Sequence, residues 1–205
     1  PLLAGYSGLI RRGTGADRPR HATPAAPSGA RMSAPADLLV LLAQLWLAGA
    51  SVALAGIDLA LRRLPDRIVL PTIVVLAALL AAASALRHDP EPLLRALAGG
   101  AALLAGHLLL ALVSRGGLGL GDVKLSAALG LATAWVGWEA LVLGAVASFL
   151  LGGAVGGGLL LARRARRRTA LPFGPWMLAG AWIGILAGPA AASWTAAALG
   201  PAAAA

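Results

Sequence analysis

Apolar residues in this chain come in long runs rather than in short alternations. Reading those runs predicts six helices, at 38–61, 69–86, 93–113, 123–138, 140–161 and 175–199. Most approach or exceed the roughly 20 residues a helix needs to cross a hydrocarbon core. The fourth is short, and would need local bilayer thinning or support from its neighbours. No apolar–polar alternation of the β-barrel kind appears. The pattern predicts an all-α, polytopic membrane protein, a bundle of about six transmembrane helices spanning residues 37–200. Residues 1–36 show no period and are rich in Arg, Pro and Ala, which predicts a disordered tail.

Composition agrees with the pattern. Of 205 residues, 59% are hydrophobic and 12% charged, where soluble domains carry about 25% charge, and the mean hydropathy is +0.83. One water-soluble globule cannot hide so much apolar surface, so the bilayer is the solvent. The chain has no cysteine, which excludes disulfides, thiolate zinc sites and cysteine nucleophiles. A net charge of +9 suits nucleic acid in principle. Here the arginines cluster between apolar runs, where they set orientation and meet anionic headgroups, so no nucleic-acid partner is expected.

Connections predict the topology. Arg62, Arg63, Arg67, Arg115, Arg163, Arg164, Arg166, Arg167 and Arg168 fall on one side, against Arg87 and Arg95 on the other, the latter diluted by Asp89, Glu91 and Glu139. The positive-inside rule puts the first set in the cytoplasm. Trp135, Trp138 and Trp194 then fall near the outer interface and Trp176 near the inner one, either as an aromatic belt or as packing residues. The tail conflicts with this orientation, because Arg11, Arg12, Arg18, Arg20 and Arg31 would lie outside. Residues 1–31 read either as a processed or truncated end or as a start artefact, and a start at Met32 removes the conflict. The tail is not ordered like a signal peptide, since its arginines follow a meagre apolar run. Gly180, Gly184 and Gly188, and the pairs Gly152/Gly156 and Gly153/Gly157, repeat every four residues and predict close helix packing.

Few acidic residues lie in or against the apolar runs, and Asp89, Glu91 and Glu139 sit in short outer loops. Asp58, in "LAGIDLALRR", and Asp122, in "GLGLGDVKL", do not. By the predicted topology both carboxylates lie at the cytoplasmic membrane edge, on separate helices. An ionisable residue in such a place is costly and points to function. If the two approach within hydrogen-bond reach they cannot both ionise cheaply, and the pair holds one proton. One carboxylate then acts as base on water while the other donates to a substrate carbonyl, hydrolysing a peptide bond without metal or covalent intermediate. Structural alternatives stand beside this: an ion pair of Asp58 with Arg62, four residues on, and a helix N-cap for Asp122. A small transporter or pilus-assembly factor, using both carboxylates to bind cations or protons, is the competing function class. Transport sites, however, usually sit near the midplane.

Around these aspartates, "GLGLGDVKLSAALG" resembles the GxGDxKL signature of the prepilin peptidases, the type IV leader peptidases among the GxGD aspartic proteases, through Gly119, Gly121, Asp122, Lys124 and Leu125. Upstream, "IDLALRRLPDRIVLP" is similar to the family's aspartate, basic loop and proline pattern, with Asp58, Pro65, Asp66 and Pro71. Downstream, "LPFGPWMLAG" is similar to its Pro-Phe-Gly-Pro entry into the last helix. The resemblance implies an aspartic endopeptidase of the inner membrane that removes the leader of type IV prepilins or pseudopilins at the cytoplasmic face. It implies Asp58 and Asp122 as the catalytic pair, with Gly119, Gly121 and Lys124 supporting the motif. No cofactor or metal is expected. The two glycines would admit a substrate strand closely, and Lys124 would either bias the pair or, the favoured reading, snorkel to the headgroups. Asp66 reads as a turn residue or partner of Arg67, and His107 as a packing residue rather than a proton relay. Many family members carry a cysteine-bearing insert with N-methyltransferase activity. This cysteine-free chain looks like the short form.

Overall fold

A computed structural model describes residues 34–114, 118–162 and 172–199. The expected tail up to residue 33, Arg115, the arginines at 163–168 and the side chain of Trp194 lie outside the described residues, while residues 34–36, expected in the tail, are helical. Six helices follow in order: α1 Ala34–Leu61, α2 Asp66–Arg87, α3 Glu91–Val113, α4 Leu120–Val136, α5 Trp138–Leu161 and α6 Gly174–Leu199. All but α4 are long and apolar enough to span a membrane. The molecule is an all-helical membrane bundle. Its outer surface is apolar, with Val52, Val74 and Leu112 exposed, as a lipid-facing surface must be.

Each helix turns one stripe inward. On α1, Ala43, Leu47, Ser51, Leu54 and Asp58 are buried, a three-to-four-residue spacing that keeps one face toward the core. Helix α4 is different: from Leu125 to Trp135 only Ala127 escapes the buried set. It packs against α2, α3, α5 and α6. Being central explains how 17 residues suffice, since neighbours rather than lipid satisfy them. Helix α2 begins three residues before the expected 69. Pro65, extended at φ −75°, precedes it, and Asp66 occupies its first turn, where a carboxylate suits the helix dipole.

Glycine permits the closest contacts. A Cβ on Gly130 of α4 would come 2.5 Å from the Gly99 carbonyl of α3, and one on Gly188 of α6 would come 2.5 Å from the Ala140 Cβ of α5. Gly180 and Gly184 face α5 in the same way, as the four-residue repeat predicts. Gly153 and Gly157 do not: a Cβ on either meets nothing within 4 Å.

At the bundle end opposite the α4 N-terminus, arginines are used structurally. Arg95 donates to the carbonyls of Ala134 (2.7 Å) and Trp135 (2.8 Å), capping the otherwise unsatisfied C-terminus of α4. It also pairs with Glu91 at 2.6 Å. Arg87 bonds Asp37 of α1 at 2.7 Å and lies 5.8 Å over the Trp135 ring, a cation–π distance. Trp135 is thus buried beneath Arg87, a packing residue, while Trp138 is exposed.

Candidate active site

The opposite end of the bundle gathers the termini of α1, α2, α4 and α6. Asp58, one turn before the end of α1, is 4% exposed. Its partner is not Arg62 but the backbone of α6: the Gly174 N–H donates to Asp58 Oδ2 at 3.0 Å. Arg62 instead ends the helix. It takes the left-handed φ of 51°, and its N–H donates to the Asp58 carbonyl at 2.8 Å. That turn sends Leu64 back over the site.

Asp122 lies in the first turn of α4, whose N-cap is Gly119. The carboxylate accepts the Gly119 N–H, the reach-back of an acidic third residue that satisfies an orphan donor. Asp122 is therefore not the cap itself. It is half-buried, and its charge faces that of Asp58 closely enough for the two to repel. The structure thus brings together the two aspartates that the sequence singled out.

Close approach here requires glycine twice. A Cβ on Gly174 would come 2.8 Å from Asp58 Oδ2, and one on Gly121 would come 2.9 Å from the Leu64 Cβ. Gly121 therefore faces the α1–α2 connection, and Gly119 lies beside the Asp122 carboxylate. Lys124 does not snorkel freely: its Nζ pairs with Asp66 Oδ2 at 2.7 Å. That ion pair joins the N-termini of α4 and α2, and it replaces the expected Asp66–Arg67 partnership.

His107 of α3 packs against α5. It is buried, its Nδ1 lies 2.9 Å from the Leu103 carbonyl, and its ring stacks on Phe149 at 5.7 Å. Phe149 in turn lies 5.6 Å from Phe173, the residue before Gly174. Sequence reasoning gave no role to Gly174, Phe173 or Leu64. The signal was present in the Pro-Phe-Gly-Pro stretch, but the partner of its glycine lies 116 residues away. Among the described residues, no three His, Asp or Glu side chains gather as metal ligands would.

A helical membrane bundle with two carboxylates converging at one end, held by glycine amides, has the parts of an acid–base hydrolytic site. Residues 45–157 match the type IV leader peptidase family, and the chain belongs to that family. It is 37% identical over 161 residues to a prepilin leader peptidase/N-methyltransferase of Aeromonas salmonicida strain A449, covering 75% of this chain and 52% of the relative. To the protein of that name in Pseudomonas putida it is 37% identical over 159 residues, covering 77% and 53%. To that of Pseudomonas aeruginosa it is 43% identical over 72 residues, covering 35% and 24%. The chain spans about half the length of the curated relatives it matches. No solved structure gives a significant match.

Proposed function

We propose that this chain is an aspartic endopeptidase that cleaves the leader peptide from type IV prepilins or pseudopilins. The observation that carries the reading is the convergence of Asp58 and Asp122, from α1 and α4, beside the amides of Gly174 and Gly119. Family membership supports protease chemistry and disfavours the cation- or proton-transport alternative. One aspartate, ionised, draws a proton from water, and the other, protonated, donates to the scissile carbonyl. The proton taken from water then passes to the departing amine. Two like charges held close favour the singly protonated pair that this exchange requires.

Gly119 and Gly121 support the motif by clearance: one beside the Asp122 carboxylate, the other beneath Leu64. Lys124 supports it by anchoring the α4 N-terminus to Asp66. The active site faces the cytoplasm from the inner membrane, as the arginine distribution suggests. A prepilin, with a basic leader joined to an apolar helix, suits this arrangement. Its helix lies against the bundle in the bilayer, and the junction meets the aspartates at the membrane edge. The proposal concerns peptidase chemistry alone.

Purified protein in detergent, given a synthetic prepilin peptide, tests the reading. Cleavage should proceed with EDTA present and stop in both Asp58→Asn and Asp122→Asn. Cleavage that survives both substitutions, or that EDTA abolishes, removes the aspartic mechanism. Orientation is tested in intact cells with an impermeant thiol reagent. Labelling of Arg63→Cys but not of Pro90→Cys would reverse the assignment.

A further inference from the structure

We propose that Gly152 of α5 is a positioning residue for Asp58, acting through the ring of Phe173. The inference rests on the catalytic reading of Asp58 given above. Among the described residues the backbone amide that holds the Asp58 carboxylate is that of Gly174, so whatever fixes that amide helps to fix the carboxylate. The peptide between Phe173 and Gly174 enters α6 held from both sides. On the helix side, the Phe173 carbonyl accepts the N–H groups of Trp176 and Met177, both at 3.1 Å. On the other, the Phe173 ring needs a seat.

Helix α5 supplies it. A Cβ on Gly152 would lie 2.5 Å from Phe173 Cε2 and 3.0 Å from its Cδ2, so the ring rests directly on a backbone that only glycine leaves bare. Phe149, three residues earlier and on the same face of α5, forms the wall of the slot: its ring centroid is 5.6 Å from that of Phe173 at a tilt of 42°. Phe149 is backed by the buried ring of His107, at 5.7 Å and 18°. The Phe173 ring thus has α5 beneath it and an aromatic stack beside it. A methyl group on Gly152 pushes the ring out of this seat. Because Phe173 and Gly174 are consecutive, the displacement carries the Gly174 N–H away from Asp58. His107 gains a role by the same route, as the far support of the stack.

The test compares Gly152→Ala with Gly153→Ala, one residue along the same helix, where a Cβ meets nothing within 4 Å. Both are made in the full chain, purified in detergent and given a synthetic peptide with a basic leader joined to an apolar helix. Gly152→Ala should lower kcat by roughly 10- to 100-fold, the scale of a misplacement near 1 Å, with KM within about threefold and a cooperative melting transition retained. Gly153→Ala should match the wild type. Adding Phe173→Leu to Gly152→Ala, which makes room for the methyl, should recover part of the lost kcat. The proposal is overturned if Gly152→Ala keeps kcat within twofold, if the loss falls on KM, if Gly153→Ala loses as much, or if Phe173→Leu recovers nothing. A second measurement does not need activity. With 15N-glycine labelling, the Gly174 amide signal is assigned by its loss in Gly174→Ala. It should shift in Asp58→Asn and in Gly152→Ala but not in Gly153→Ala. A signal unmoved in Gly152→Ala refutes the slot. A wild type that cuts no peptide refutes the peptidase reading and leaves this arm to judge the slot by itself.

Discussion

Arg87, Arg95, Asp58 and Asp122 all lie near the ends of apolar helices, yet these two pairs of charges are treated oppositely. At the end holding the α4 C-terminus, both arginines among the described residues meet their complements: Arg87 meets Asp37, and Arg95 meets Glu91 and the last carbonyls of α4. At the other end, two carboxylates influence one another, and the donors they accept are neutral glycine amides. Complementary pairing is what stability alone would select. Like charges held together work against stability, so the fold must hold them there by other means. Those means are the packing of Leu64, Phe173 and the glycines around them.

The sharpest break of this comparison comes from Asp58→Asn and Asp122→Asn. Each should lower peptide cleavage by at least the roughly 10²- to 10⁴-fold attributed to acid–base groups. Neither should lower the melting temperature, because each removes a repulsion. A variant that melts well below the wild type would show the aspartates to be structural. Next comes Gly174→Ala, whose Cβ would crowd Asp58 at 2.8 Å. It should cost about 1–3 kcal/mol in stability, as overpacking does, and impair cleavage as well, both read on the same purified sample.

Arg95→Met probes the other end. Losing hydrogen bonds from a charged group to the α4 carbonyls should cost about 1.5–3 kcal/mol, seen as a lower melting temperature. Cleavage per folded molecule should stay near wild type. A loss of kcat equal to that of the aspartate variants would erase the distinction between the two ends. The smallest effect belongs to Asp66→Asn. Its ion pair with Lys124 is half-exposed, at 53% and 40%, and such pairs contribute about 1 kcal/mol or less. Cleavage should remain substantial, and a double-mutant cycle with Lys124→Met should give a coupling no larger than that.

The bundle was legible in the sequence because lipid demands long apolar runs and water between them. Helix boundaries at Ala34 and Asp66 were less so. Polar residues such as Asp37, Asp66 and Arg67 look like connection when read singly, but sit well in the first turns of helices. Asp58 and Asp122 stood out locally, as lone carboxylates beside arginines and glycines. Their supports did not. Gly174 reaches Asp58 across 116 residues, Lys124 reaches Asp66 across 58, and no periodicity encodes either meeting. Gly152 and Gly153 are adjacent letters with opposite surroundings, a difference that only the rotation of α5 decides.

The hydrogen bond from Gly174 to Asp58 has a consequence in the order of synthesis. Asp58 emerges from the ribosome with the first helix, Asp122 with the fourth and Gly174 only with the last. A chain threaded partway into the bilayer therefore holds aspartates without the amide that fixes one of them. On the peptidase reading competence arrives with α6, so a chain ending before Gly174 should cleave nothing. On the same reading, α6 acts as a timer as well as a wall.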